Sequence, residues 1–230
     1  MKIDIWSDVV CPCCWIGKHR FQQGLALLGD DAPEVDVHWH PFLLDPDAGT
    51  TPVPLREAYA AKFGSAERTE QILTQTQTAA RAEGLPMDFD QGQVRVTTLP
   101  AHRLMWLAGR EGVQAAVGEA LFRAHFAEGR NLADPQTLID AGAAGGLGAE
   151  RITALLAGEE GLAEIQAQLA QAQRFGIQSV PTFVIDDKYA IQGAQPPEAF
   201  AQALRQIAAE SPPAGAAGQG DGCGPDGCEV

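Results

Sequence analysis

The sequence predicts an α/β fold in which a small sheet is flanked by helices and interrupted by a long helical segment. Strand-like segments lie near the two ends of the chain, in the order strand, helix, strand and later strand, strand, helix. From Leu55 to about Gly176 the chain is rich in Ala, Leu, Gln and Glu and shows little strand character. Three of the five cysteines lie where the first strand gives way to the first helix. These observations place a cysteine-based site on a sheet with a large helical insertion.

Each element follows from a local pattern. The expected strands are at about 3–6, 34–40, 181–185 and 188–192. The expected helices of the middle segment are at about 55–63, 66–83, 100–111, 113–128, 135–145 and 149–174, the last broken near Gly158 to Gly161. A final amphipathic helix follows Pro196. We therefore expect a discontinuous sheet domain formed by residues 1–46 and 177–210. Residues 47–176 should form an inserted helical domain, and residues 211–230 should form a flexible tail rich in Gly and Pro.

Composition narrows the function classes. The 230 residues carry a formal net charge of −14, which argues against binding nucleic acid or an anionic membrane surface. No apolar run approaches the length of a membrane span, and the first residues lack the apolar core of a secretory signal. We expect a cytoplasmic protein, in which paired cysteines are more often catalytic, redox-sensing or metal-binding than structural.

The segment Ser7–Gly17 contains the pattern Cys11-Pro12-Cys13-Cys14. Pro12 suits the first helical position, because the N–H it lacks would have no partner there. Cys11 then occupies the cap, where the free N–H groups and the helix dipole favour an anion. We expect Cys11 to have a lowered pKa and to act as the nucleophile. Cys14 lies in the first turn, close enough to form a disulfide with Cys11, which is the arrangement of a dithiol–disulfide exchanger.

The chain resembles the DsbA-like branch of the thioredoxin superfamily, and most closely the FrnE-type proteins within it. The resemblance rests on the segments Ser7–Gly17, Ala101–Leu104, Ser179–Ile185 and Ile191–Gln195. It implies a thioredoxin fold with a large α-helical domain inserted between the second and third strands. It also implies that Pro181 is a cis-proline facing Cys11 and Cys14, and that the backbone of Val180 pairs with an extended substrate. Position 13 departs from the family, where it is ordinarily aromatic.

These features predict a thiol–disulfide oxidoreductase that acts on protein or peptide substrates through Cys11 and Cys14. No cofactor is predicted beyond the redox-active disulfide. We expect this disulfide to be coupled to thiol reductants such as glutathione or the thioredoxin system. One alternative is a glutathione-dependent enzyme of the kappa-class transferase or 2-hydroxychromene-2-carboxylate isomerase type, which is similar in fold but carries Ser where Cys11 stands. Another is a zinc-holding or chaperone-like binding protein that uses the cleft near Pro181.

The remaining cysteines are candidate auxiliary groups. Cys13 can compete with Cys14 for resolving a mixed disulfide, or serve only as a small exposed residue. Cys223 and Cys228 have three interpretations. They have no role, they supply zinc ligands together with the N-terminal thiolates, or they form a mobile dithiol that exchanges with Cys11 and Cys14. Cys223 lies thirteen residues beyond the end of the last helix, which gives a root-mean-square span of about 20 Å against a radius of gyration near 17 Å. The tail is therefore long enough for a relay, and no metal site is predicted.

Two further polar residues have less specific interpretations. Asp8 precedes Cys11 by three residues and would raise the pKa of its thiol by repulsion if buried. It is not predicted to be catalytic. His102 falls in the helical segment, and we expect it to serve packing.

Overall fold

The computed structural model describes residues 1–210, which form a mixed sheet with helices on both faces. The strands are β1 (Lys2–Ser7), β2 (Asp36–Pro41), β3 (Val53–Pro54), β4 (Val94–Arg95), β5 (Thr182–Ile185) and β6 (Tyr189–Gln192). The helices are α1 (Pro12–Ala26), α2 (Leu55–Phe63), α3 (Ala66–Ala82), α4 (Leu99–Arg110), α5 (Gln114–Phe126), α6 (Pro135–Ala144), α7 (Ala149–Ala157), α8 (Leu162–Arg174) and α9 (Pro197–Glu210). Helices α2 to α8 separate β2 from β5 in the chain, so the fold is a thioredoxin fold with a helical insertion.

The main sheet has the order β2-β1-β5-β6, with β1 parallel to β2 and antiparallel to β5. Trp6 near the end of β1 lies opposite Thr182 at the start of β5. Pro181, one residue earlier, therefore lies beside the end of β1, where the chain turns towards Cys11. This register brings together two segments that are about 170 residues apart in the sequence.

Aromatic packing joins α1 and α9 to one face of the sheet. The ring of Phe21 lies 5.4 Å from that of Phe183 and 5.6 Å from that of Phe200, and the last two rings are 4.8 Å apart. At Gly24 a Cβ would lie 2.7 Å from the Cβ of Phe200, so α1 approaches α9 too closely for any side chain at this position. The burial of these rings fixes the direction in which α1 leaves the turn at Cys11.

The predicted break in the last helix of the insertion is present. Helix α7 ends at Ala157 and α8 begins at Leu162. The buried Arg103 of α4 donates hydrogen bonds to the carbonyl oxygens of Leu155, Gly158 and Glu160, at 2.6 to 2.9 Å. A guanidinium can satisfy several carbonyls at a helix C-terminus at once, which accounts for an arginine at this position.

The insertion also contains the small antiparallel pair β3 and β4, which no pattern in the sequence indicates. Strands of two residues are too short to show an alternating pattern. They lie between α1 and α4 in the chain and bring Val53 opposite Arg95.

The helical insertion packs directly against the sheet domain. Val9, just before the cysteine motif, is buried in one cluster with Leu104 and Leu121 of the insertion. Trp15 of α1 stacks on Phe122 at 6.1 Å, and on a second ring of the same helix. The predicted domain division describes the order of the chain, whereas the core continues across it.

A carboxylate of α5 holds α1 against the insertion, and its removal gives a testable loss of stability. Glu119 accepts hydrogen bonds from Trp15 Nε1 at 3.1 Å and from Lys18 Nζ at 2.6 Å. The Lys18 side chain is only 6% exposed, whereas that of Glu119 is 36% exposed. Glu119→Ala leaves a buried ammonium without its partner, so we expect a loss of about 2 kcal/mol in the free energy of unfolding, measured by urea titration.

The matched control is Glu160→Ala, which breaks an exposed ion pair with Arg151 and should cost much less stability than Glu119→Ala, because solvent screens that pair. Glu119→Gln keeps an acceptor for Trp15 and should fall between the two. Equal losses of unfolding free energy for Glu119→Ala and Glu160→Ala would show that the Lys18 ammonium becomes hydrated when Glu119 is removed.

None of the helices within residues 1–210 combines the length and the apolar character that crossing a bilayer requires.

Candidate active site

A tight turn carries the chain from β1 into α1 and positions the cysteines. The N–H of Cys11 donates to the carbonyl of Asp8 at 3.0 Å, and the carbonyl of Cys11 accepts from the N–H of Cys14 at 3.0 Å. Cys11 has extended dihedral angles, φ −93° and ψ 113°, and is the cap residue before Pro12. Cys11 and Cys14 are buried and Cys13 is exposed, and all three are free thiols. The predicted pair therefore lies within one helical turn.

The Pro181 segment lies against this turn. The Val180–Pro181 peptide bond is cis, which the resemblance implies. The Cys11 Sγ lies 3.8 Å from the carbonyl oxygen of Val180. At Gly17 a Cβ would lie 2.8 Å from Pro181 Cγ, so only glycine allows α1 to approach the loop this closely. The structure thus brings Cys11, Cys14, Val180 and Pro181 together.

The segment after β6 completes the loop. The N–H of Gly193 donates to the carbonyl of Pro181 at 2.8 Å, and Arg20 of α1 donates to the carbonyl of Ala194 at 2.7 Å. Arg20 also forms an ion pair with Glu83 of the insertion at 2.7 Å. The motif segments at 7–17, 179–185 and 191–195 are therefore parts of one site.

The expected lowering of the Cys11 pKa is wrong in this geometry. A hydrogen bond from the thiol of Cys13 lowers the pKa, but the hydrogen bond to Cys14 and the burial of the sulfur raise it, and the net pKa is well above the ordinary value of 9.0. The backbone N–H of Cys14 at the start of the helix also lowers the pKa of Cys11, but by less than these effects, so the helix N-terminus does not offset the loss of hydration. The pKa of Cys13 is also raised, first by its hydrogen bond to Cys11 and then by the partial loss of hydration of a side chain that otherwise remains exposed.

The raised pKa of Cys11 predicts the pH dependence of its alkylation. Because the thiolate reacts and the thiol does not, the rate of carbamidomethylation at Cys11 should rise about tenfold per pH unit up to at least pH 9. Tandem mass spectrometry of the alkylated peptide resolves the three sites. In urea the same profile should have its midpoint near the ordinary cysteine value. A plateau below pH 7 for the folded protein would mean that the helix N-terminus outweighs burial.

A buried polar pair lies behind the cysteine turn. The Asp8 carboxylate accepts a hydrogen bond from the N–H of Leu44 at 2.9 Å, and its other oxygen lies 3.3 Å from His102 Nε2. The same ring nitrogen lies 3.1 Å from the carbonyl oxygen of Phe42. Both side chains are almost fully buried. His102 thus ties α4 to the turn, beyond the packing role that the sequence suggests, and its place in the Ala101–Leu104 motif was the available signal.

Within residues 1–210 no group of three or more His, Cys, Asp or Glu side chains is placed to hold a metal ion. Cys223 and Cys228, on which the zinc alternative and the relay depend, lie outside the described residues.

A family model described as a DSBA-like thioredoxin domain matches residues 2–205. The chain belongs to this family. Among solved structures, SCO1869 of Streptomyces coelicolor, a probable DsbA oxidoreductase, is 35% identical, with a TM-score of 0.87 and coverage of 100% of this chain and 99% of that one.

More distant solved structures share the fold. The cytosolic disulfide reductase DsbM from Pseudomonas aeruginosa, in a structure with GSH, is 20% identical, with a TM-score of 0.64 and coverage of 91% of this chain and 100% of that one. A 2-hydroxychromene-2-carboxylate isomerase is 16% identical, with a TM-score of 0.61 and coverage of 92% and 100%. The DsbA-like resemblance and the fold expected from the sequence are thus confirmed.

Proposed function

We propose that this DsbA-like protein is a thiol–disulfide oxidoreductase of the FrnE type, acting on protein or peptide disulfides through Cys11 and Cys14. The observation that carries the proposal is the position of the Cys11 sulfur, which lies one helical turn from Cys14 and 3.8 Å from the carbonyl oxygen of Val180. A buried dithiol beside a peptide segment is suited to form a mixed disulfide with a bound chain.

The reaction proceeds in two displacements. The Cys11 thiolate attacks one sulfur of the substrate disulfide, the substrate S–S bond breaks, and the other substrate sulfur leaves as a thiolate that takes up a proton. Cys14 then loses its proton and attacks Cys11, which releases the second substrate thiol and leaves the Cys11–Cys14 disulfide. Two electrons pass from the enzyme to the substrate. The reverse sequence oxidises a substrate dithiol.

The raised pKa of Cys11 supports reduction of substrates as the net direction. Strongly oxidising members of this fold owe their potential to a stabilised thiolate in the reduced form. A Cys11 that is protonated at neutral pH lacks that stabilisation. Reduction in turn requires a thiol reductant, and we propose glutathione or the thioredoxin system in the cytoplasm, with no cofactor beyond the cysteine pair.

Val180 and Pro181 are proposed as the substrate-binding segment. Val180 is half-buried and its carbonyl faces the Cys11 sulfur. An extended peptide that pairs with this backbone would present its own cysteine to Cys11. The acidic protein gives no reason to propose nucleic acid or membrane partners.

The test is disulfide mapping by mass spectrometry after equilibration in glutathione buffers and rapid alkylation. We expect a Cys11–Cys14 bond that forms and breaks reversibly with the buffer potential. Failure of these two cysteines to pair at any potential would remove the proposal. The same spectra report whether Cys13 competes for Cys11, with Cys13→Ala as the comparison.

The tail cysteines are proposed as a relay that exchanges with Cys11 and Cys14. Glu210, the last described residue, is hydrogen-bonded to Tyr189, which pairs with Ile185 at the end of the sheet away from Cys11. The distance along β1 from this end of the sheet to Cys11 is about 20 Å. The thirteen residues from Glu210 to Cys223 span at most about 45 Å when extended, which is more than this distance. Linkage of Cys223 or Cys228 to the cysteine motif in the mapping experiment supports the relay. Unchanged turnover after deletion of residues 211–230 counts against it.

The isomerase alternative makes a different prediction. A glutathione-dependent isomerisation should survive Cys14→Ser, because it needs no second protein thiol. Disulfide exchange should not. The presence of both Cys11 and Cys14 in one turn favours exchange.

A further inference from the structure

A cavity of about 680 Å³ opens beside the turn that leads to Cys11. Its volume lies within the range of about 300–1,000 Å³ that is typical of ligand pockets. The turn, the loop after β2, helix α2 and the segment after β4 build its apolar wall, through Val10, Leu44, Leu55, Ala58 and Val96. The cavity therefore offers an apolar surface next to the cysteine motif.

Two hydrogen bonds connect the cavity wall to the turn that carries the reacting cysteine. The N–H of Cys11 donates to the carbonyl of Asp8 at 3.0 Å. The carboxylate of Asp8 in turn accepts a hydrogen bond from the N–H of Leu44 at 2.9 Å. Val10, which also lines the cavity, directly precedes Cys11 in the chain. The wall is therefore held in a fixed position relative to the site of disulfide exchange.

The cavity and the proposed substrate-binding segment border the same buried cluster. Cys11 and Cys14 belong to this cluster, and the half-buried side chains of Tyr59 and Val180 both pack against it. Tyr59 also lines the cavity, whereas the carbonyl oxygen of Val180 lies 3.8 Å from the Cys11 sulfur. Three extended residues span about 10 Å. A peptide that pairs with Val180 and reacts at Cys11 can therefore place a neighbouring side chain in the cavity.

The charges around the cavity indicate which side chain it accepts. Its lining includes three carboxylates, Asp45, Asp47 and Glu57, against the two cations Arg95 and Lys62. Asp45 and Arg95 form an ion pair with each other. The charge that remains does not favour an anion, so glutathione, which has two carboxylates, is a poor match for this cavity. An uncharged apolar group matches both the wall and the rim.

We propose that the cavity binds a bulky apolar side chain of the substrate that lies within three residues of the reacting cysteine. Binding removes from water the apolar surface of that side chain and of Leu44, which is 37% exposed in the free protein. The substrate class is therefore a peptide or unfolded chain with a large apolar residue near its cysteine. The inference rests on the proposed function of Cys11 as the nucleophile.

The experiment measures kcat/KM for reduction of peptide disulfides that carry glycine, phenylalanine or glutamate at one of the three positions on either side of the cysteine. At the position that reaches the cavity, phenylalanine should raise kcat/KM about 10- to 100-fold over glycine, because burial of its ring stabilises the complex. Glutamate should give no gain over glycine. Ala58→Phe, which fills the cavity from α2, should reduce the preference for phenylalanine to about twofold or less.

The matched control is Ala79→Phe, at an exposed position of α3 outside this cavity, and it should keep the preference. Circular dichroism and thermal denaturation check that each variant is folded. If Ala58→Phe is not, Leu44→Ser takes its place. That change keeps the backbone N–H that bonds Asp8 and should lower the preference about threefold or more, because the apolar contact is lost.

The readout is the ratio of kcat/KM for the two peptides within each variant, so a general loss of activity does not imitate the expected result. Equal values for glycine and phenylalanine at all six positions, or a preference that survives in the folded cavity variant, overturn the proposal. If Ala58→Phe slows reduction of the oxidised enzyme by glutathione more than it slows reaction with the phenylalanine peptide, the cavity binds the small thiol and the proposal is wrong. Wild-type protein that reduces none of the peptides would instead overturn the proposed function.

Discussion

Cys14→Ser is expected to lower multiple-turnover disulfide reduction more than about 100-fold and to leave Cys11 joined to the substrate. Cys11 can still attack, because its N–H bond to Asp8 and its contact with the Val180 carbonyl do not involve Cys14. The second displacement has lost its nucleophile. Mass spectrometry of the intact protein should show a mixed disulfide with the peptide substrate, and Cys11→Ser should show none.

Cys13→Ser is the matched control for this prediction, since Cys13 is exposed and adjacent to Cys14. It should keep turnover within a few-fold of wild type. If Cys14→Ser retains turnover and the double variant with Cys13→Ser loses it, Cys13 resolves the mixed disulfide and the assignment of Cys14 is wrong.

The protein should lose about 3 kcal/mol of unfolding free energy between pH 6.5 and pH 4 through His125 alone. Burial lowers the pKa of His125 to about 4, against opposing effects of the Asp8 charge and the Arg130 backbone. The unfolded chain takes up the proton at its ordinary pKa of 6.5, and the folded protein does so only near pH 4. The stability is therefore fully present above pH 6.5 and is lost as the pH falls towards 4.

His125→Gln should flatten the stability curve over this interval, as measured by urea denaturation at each pH. Neither ring nitrogen of His125 makes a hydrogen bond of good geometry within the described part of the chain, so glutamine removes the titration without breaking a network. His38→Gln, which removes an exposed histidine, is the comparison. Parallel curves for wild type and His125→Gln would show that His125 is not protonated on unfolding in this range.

Local chemistry made much of the fold predictable. Pro12 after a cap residue, Pro135 after Asp134, and the glycine-rich interruption near Gly161 each act on neighbouring backbone. Their helices accordingly begin or break where the pattern indicates. The Cys11–Cys14 pair was equally accessible, because the geometry of a helical turn places both cysteines together.

The electrostatic state of the site was not accessible in this way. The pKa of Cys11 depends on hydrogen bonds with Cys13, which lowers it, and Cys14, which raises it, and on burial of the sulfur, which also raises it. The predicted direction was wrong because burial depends on segments that are distant in the sequence. The contact of His102 with Asp8 joins residues that are almost one hundred positions apart. No local pattern indicates such a contact.

The sequence by itself determined the order of the elements, the position of the cysteine pair at a strand-to-helix junction and the family to which the chain belongs. Only the tertiary structure decided the surroundings of Cys11, whose sulfur lies against the Val180 carbonyl and which is buried in one cluster with Phe122 of the insertion. The physical reason is the distance along the chain over which each interaction acts. Capping, turn geometry and amphipathic periodicity act over a few residues, whereas desolvation and charge depend on every segment that packs around an atom.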